Sequence, residues 1–354
     1  MNRRTLLKSA VALAAGRAWG AGKVPEGVVH IPSGSFIMGS TRPGRGESQS
    51  SLHSVELSEF YIGKYLVTNA QYKEFTDAAG ARFRPRYWDN AAFSWKEKAD
   101  HPVLWVGYNQ CSVYSEWLTK KTDWRVALPS DAQWERAARG VTKTGDENEF
   151  PWGNATGAND YRDRLNFNVL CATKNGAPKT IGGVDYPYWP FVLRVRGDSV
   201  TASNFKGVAY GEDEPGTPFD ESSAEVRTVW KKIMDAGGYT TAVGTYPAGP
   251  SGCYDMAGNA FEWTRDFSTV STYKQLAAKG LDPCVDSEAM LTEEDRKSGS
   301  DGARSGRATK IIRGGSWYAN ESSCRTHYRS ETRAAGQAGY HSVGFRVVMT
   351  PLLS

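Results

Sequence analysis

Apolar residues recur at helical spacing in three stretches, and two of these open on a helix-start signal. Thr68-x-x-Gln71 forms a capping box, which predicts a helix from Thr68 with Tyr72, Phe75 and Ala79 along one face. A second helix is predicted from Asn109 to about Lys120, burying Val113, Tyr114 and Trp117. The third is the clearest: Ser130-x-x-Gln133 caps it, Trp134, Ala137 and Ala138 pack, and Gly140 stops it. A further short helix is predicted near Glu225–Met234. The strand signals are short: His30–Met38 alternates around a Pro-Ser-Gly turn, and Ile311–Trp317 starts apolar before paired glycines break it. Val343–Val348 reads as one closing strand. Gly252–Trp263 (GCYDMAGNAFEW) follows neither period, because its glycines cost backbone entropy and no apolar repeat survives. That stretch suits a tight loop with inward carbonyls.

Composition bounds the rest. The chain has 354 residues, enough for a sizeable core, and 12 Trp, 17 Tyr and 37 Gly point to a loop-rich fold with aromatic fillers. Its formal charge of +4 misleads, since Arg3, Arg4, Lys8 and Arg17 all precede the first acidic residue. Without those four, the bases only balance the 39 acids, so there is no electrostatic case for nucleic acid or for polybasic membrane docking. Residues 1–21 read as an export signal, and Arg3-Arg4-Thr5-Leu6-Leu7-Lys8 looks like the twin-arginine type. The expectation is a periplasmic or secreted protein with no membrane contact once the signal is removed. Residues 22–354 form one α+β domain, with additions at about 155–200, 208–232 and 266–308, the last ending in a polar, mobile run.

Candidate chemistry is sparse. Asp255 and Glu262 put two carboxylates beside a glycine-rich loop, a donor set suited to a hard cation such as Ca2+. Five cysteines (Cys111, Cys171, Cys253, Cys284 and Cys324) contain no C-x-x-C pair, and an odd count leaves a thiol unless two chains are joined. His30, His53, His101, His327 and His341 include no i, i+4 pair. No phosphate-cradling loop, nucleophile elbow or dinucleotide fingerprint occurs.

Taken in order, IPSGSFIMGS, YLVTNAQYKEF, HPVLWVGYNQ, LPSDAQWERAARG, FPWGN, GNAFEW, RGGSW and GFR resemble the formylglycine-generating enzyme (sulfatase-modifying factor) family. The resemblance runs from about residue 27 to 349 and implies that family's fold, a loop-rich variant of the C-type lectin fold. It implies structural calcium held by Asp255, Gly258, Ala260 and Glu262, with a second ion on Asn204, Phe205, Asp235 and Gly237, for which Asn166-Phe167 offers a rival alignment to Asn204-Phe205. The family's oxidase holds Cu(I) between two cysteines five positions apart after GGS. Here Cys324 stands at the second position and Ala319 at the first, so that two-sulfur site cannot form as the family builds it. Iron-dependent relatives take three histidines, largely from an extra helical domain, and this chain offers no such set.

The resemblance therefore points to a non-sulfatase branch performing oxidative maturation of a small or peptidic substrate, as siderophore-tailoring members do. Cys324, Ser316 and His327 are its candidate catalytic residues, and Trp317, Tyr318, Asn320, Arg329 and Arg346 its candidate pocket. Two alternatives remain. One is a ligand-binding module of the kind diversified by retroelements, for which Tyr318–Ser342 offers adaptable side chains. The other is formylglycine generation with an unusual site.

Overall fold

The structure is a computed structural model. It describes residues 24–41, 52–85, 88, 95–144, 147–154, 164–166, 179–181, 184–186, 191–196, 199–204, 240–268, 278, 280–298, 309–317, 319, 321–333 and 342–352. The export signal, the helix expected at Glu225–Met234, the addition at 208–232, and Cys171 and His341 lie outside these residues.

Two four-stranded sheets organise the chain. The first takes the order β1 (Val28–Ile31), β4 (Phe60–Gly63), β14 (Val348–Pro351), β5 (Trp124–Ala127), all antiparallel. The second takes the order β12 (Ser330–Arg333), β11 (Thr309–Arg313), β10 (Phe261–Phe267), β13 (Val343–Gly344), with β10 and β13 parallel. The strand β2 (Gly34–Met38) pairs with β3 (His53–Leu57) and not with β1, so the alternation across His30–Met38 splits between two sheets. Two hairpins, β6 (Lys179–Ile181) with β7 (Val184–Tyr186) and β8 (Phe191–Arg196) with β9 (Ser199–Asn204), occupy the region around residue 190.

The three helices stand where their signals put them. Helix α1 (Asn69–Ala79) has the Thr68/Gln71 capping box in place and buries Tyr72 and Phe75. Helix α3 (Asp131–Arg139) has the Ser130/Gln133 box and ends on Gly140. Helix α2 spans Tyr108–Lys121, and its buried face is Cys111, Tyr114, Ser115 and Leu118. Val113 and Trp117 only flank that face, because Tyr114 turns inward to stack on Tyr72 and meet Phe345 edge-on. No helix among the described residues is long and apolar enough to cross a membrane.

Three segments differ from the sequence reading. Gly252–Trp263 is a loop only as far as Ala260; its last residues open β10, where six of seven positions are buried and alternation is therefore lost. Val343–Val348 is not one strand. It leaves the second sheet at Gly344 and joins the first at Val348, with the main chain of Phe345 and Val347 accepting from Val67 and Gly63. The addition expected from 266 starts later, since Asp266 and Phe267 belong to β10, and Val285 and Leu291 beyond it pack into the core.

Candidate functional site

The GNAFEW loop is shaped by left-handed backbone at Asp255, Gly258 and Asn259 (φ 55°, 78° and 64°), which turns successive peptide groups. Asp255 is buried; its Oδ2 accepts from Gly244 N at 2.8 Å and its Oδ1 from Asn259 Nδ2 at 3.4 Å. Asn259 acts as a clamp. Its Oδ1 accepts from Thr241 N at 3.0 Å, its Nδ2 donates to Thr241 O at 3.2 Å, and its own carbonyl accepts from Trp317 N at 3.1 Å. Gly258 N donates to Gly314 O at 2.7 Å, so the loop is sewn directly onto the RGGSW turn.

Glu262, fully buried, accepts from Arg346 Nε at 2.6 Å, Arg346 Nη2 at 2.7 Å and Trp134 Nε1 at 3.0 Å. Burial pushes the Asp255 carboxyl up to about 6; Gly244 N–H and Arg346 pull it down, while Glu262 pushes it up. Arg346 acts on Asp255 only through its charge, since its nitrogens are committed to Glu262 and to main-chain carbonyls. A hard cation placed here would have to draw on carboxylates whose oxygens already accept hydrogen bonds, with the Gly258 and Ala260 carbonyls as supplements. Among the described residues no three His, Cys, Asp or Glu side chains gather as a metal cluster, so the carbonyls would be essential. Of the second expected set, Asn204 ends β9, while Phe205, Asp235 and Gly237 lie outside the described residues.

The RGGSW turn follows β11. Gly315 (φ 70°) lies so close to Cys324 that a Cβ there would sit 2.4 Å from its Sγ. Ser316, Trp317 and Cys324 are wholly enclosed, and the Ser316 hydroxyl has no hydrogen-bond partner among the described residues. Cys324 packs with Phe150, Leu165 and Ala257, whereas Ala319 belongs to the main core beside Trp263 and Ile312. Burial lowers the His327 imidazole to about 4; Glu135 opposes this, and Arg139, Arg325 and Arg313 add to it. Tyr318 and Asn320 lie outside the described residues.

Arg329 and Arg346, two of the expected pocket residues, each pair with a carboxylate. Arg329 Nε donates to Asp131 Oδ2 at 2.7 Å, and Arg346 serves Glu262. The physical reason is the cost of an enclosed guanidinium without a counter-charge.

Behind the turn lies an ionic cluster that sequence reasoning missed. Arg313 donates to Asp131 and, at 2.6 Å, to Glu135 Oε2, while Arg139 Nη1 donates to Glu135 Oε1 at 2.9 Å. Burial works against the Glu135 carboxylate, yet Arg313, Arg139 and Arg329 together bring it down to about 2. The available signal was the i, i+4 spacing of Asp131, Glu135 and Arg139, which reads equally well as a solvated stripe.

The sequence profile of the sulfatase-modifying factor enzyme 1-like domain matches residues 20–178 and 200–351. The chain belongs to this family. Among curated members, hercynine oxygenase of Mycolicibacterium smegmatis is 28% identical over 178 residues, covering 42% of this chain and 39% of the relative. The formylglycine-generating enzyme of Thermomonospora curvata is 28% identical over 172 residues, covering 37% and 54%. That of Bos taurus is 23% identical over 367 residues, covering 91% and 74%. The chain therefore spans only about two-fifths to half of the first two relatives. In fold, the family member is similar to PvdO from Pseudomonas aeruginosa (TM-score 0.53, 20% identity, 95% of this chain and 99% of that one). It is also similar to Treponema denticola variable protein 1 (TM-score 0.54, 15% identity, 94% and 98%).

Proposed function

We propose that this sulfatase-modifying factor family member is an exported protein that carries out oxidative maturation of a small or peptidic substrate. The observation that carries the reading is the Ser316 hydroxyl, enclosed without a partner among the described residues on a turn pressed against Cys324. A buried polar atom left unpaired is costly, and functional sites are where such costs are tolerated. Relatives named as an oxygenase and as formylglycine-generating enzymes support oxidative chemistry.

Copper does not fit as the family's oxidase holds it. Ala319 carries no donor atom, which leaves Cys324 as a single sulfur, and no step is assigned to that metal. The chain's own residues offer a hydroxyl at Ser316 to orient a substrate, a thiol at Cys324, and an imidazole at His327 kept neutral by burial. Calcium at Asp255, Gly258, Ala260 and Glu262 would be structural, fixing the loop beneath the RGGSW turn, and an analogous ion would draw on Asn204, Phe205, Asp235 and Gly237. The basic start of the chain supports periplasmic export through the twin-arginine route.

The test is oxygen uptake and product mass, using small thiols and cysteine peptides (a Cys-x-Pro-x-Arg peptide among them). Each is run alone, with Cu(I) and with Fe(II). Turnover that disappears in Cys324→Ala or His327→Gln is expected. No turnover under any condition would remove the reading. A ligand-binding module is the second reading, favoured by the shared fold of the Treponema variable protein. A reverse-transcriptase gene with a near-identical template beside the coding sequence would decide for it.

A further inference from the structure

Four arginines are buried among the described residues: Arg136, Arg139, Arg313 and Arg346. Three reach a carboxylate: Arg139 pairs with Glu135, Arg313 with Asp131 and Glu135, and Arg346 with Glu262. Arg136 reaches none. It stands in the last turn of α3 with 5% of its surface exposed, and its guanidinium carbon lies 6.0 Å from the centre of the Phe36 ring on β2. Its Nε is enclosed with no hydrogen-bond partner, and no ion pair reaches its terminal nitrogens among the described residues.

The carboxylates nearest in sequence cannot serve it, because Asp131 and Glu135 are committed to Arg313, Arg329 and Arg139. Burial makes Arg136 less basic than usual, with no counter-charge to restore it. An arginine does not escape by losing its proton. Its place near the helix C-terminus offsets only part of the charge, since the dipole acts as about half a charge spread over the last turn. The Phe36 ring adds a weak cation–π contact at this distance. What would complete the balance is an anion with two coplanar oxygens, the geometry that a guanidinium fork matches.

We propose that Arg136, seated on Phe36 at the junction of α3 and β2, is the floor of an oxyanion subsite that takes one carboxylate, sulfate or phosphate group. The subsite uses none of the RGGSW residues and does not depend on the chain being an oxidase. A ligand here ties helix α3 to the β2–β3 hairpin, two elements that already touch.

The full mature chain is titrated calorimetrically with sodium acetate, sodium sulfate and sodium phosphate at constant ionic strength. Saturable binding of about one anion is expected, weakened at least about tenfold in Arg136→Gln. Acetate acting alone identifies a carboxylate site, and sulfate and phosphate acting together identify a tetrahedral one. No saturable binding of any of the three, or equal affinity in the variant, overturns the proposal. Should Arg136→Gln fail to fold by circular dichroism, Arg136→Lys keeps the charge and removes the fork. Weaker binding in that variant supports the subsite, and unchanged binding sinks it. A selenate-soaked crystal gives an independent reading: its anomalous peak belongs beside Arg136, and a peak only elsewhere rejects the site.

Discussion

Arg346 grips Glu262 through two hydrogen bonds of 2.6 and 2.7 Å across 84 residues of chain. The same guanidinium donates to Gly63 O and Tyr254 O, each at 2.9 Å, so one side chain joins the end of β4, the GNAFEW loop and the start of β10. Removing one partner leaves a buried charge. Glu262→Gln and Arg346→Met should each cost about 3–5 kcal/mol of stability. Urea unfolding measures this, and losses below about 1 kcal/mol would mean that the pair is not enclosed as described.

Gly258 and Gly27 share a backbone φ of 78°, but only Gly258 is crowded. A Cβ at Gly258 would meet the Asn166 carbonyl oxygen at 2.4 Å, whereas at Gly27 nothing lies within 4 Å. Gly27→Ala should cost about 1 kcal/mol, the strain of the left-handed backbone alone. Gly258→Ala should cost at least about 2 kcal/mol more, because the GNAFEW loop must move off Asn166. Equal losses would show that the close approach is absent.

His327 titrates lower when folded, at about 4 against an ordinary 6.5. The unfolded chain therefore takes up the proton first. Stability linked to this group is complete above pH 6.5 and is lost as pH falls toward 4, a total of about 3 kcal/mol. Comparing wild type with His327→Gln isolates the contribution from the other acids. The wild type should lose more stability than the variant between pH 7 and 4.5. Parallel curves would mean that the imidazole is solvated.

Asp255 behaves in the opposite sense. Its carboxyl is raised to about 6 from 3.8, so without an ion its contribution to stability falls as pH rises through that window. A bound calcium would reverse this. Calcium should raise Tm at pH 7.5, and a chelator should lower it in wild type but leave Asp255→Asn unmoved. If Tm ignores both calcium and chelator while elemental analysis finds no calcium, the structural ion is ruled out.

Local signals carried the helices, because a capping box and a terminal glycine are written within a few residues of each other. Thr68/Gln71 and Ser130/Gln133 form as spaced. The site was only half legible. GNAFEW and RGGSW announce themselves as motifs, and the structure does sew them together through Gly258 and Asn259. Which charged residues turn inward was not legible, since Asp131, Glu135 and Arg139 look like any helix surface until Arg313, far along the chain, arrives to neutralise them. Likewise the carboxylate partners of Arg329 and Arg346, Asp131 and Glu262, lie too far along the chain for spacing to reveal. The split of Val343–Val348 between two sheets depends on which strands flank it, and those come from distant parts of the chain.

That split makes one short segment a hinge pin. Residues 343–351 add a strand to each sheet and deliver Arg346 to the charge that awaits it on β10. A chain without them lacks the piece that lies between β4 and β5, so neither the ion pair nor the first sheet can close. Loss of this single segment would therefore strike both layers at once and leave Glu262 stranded.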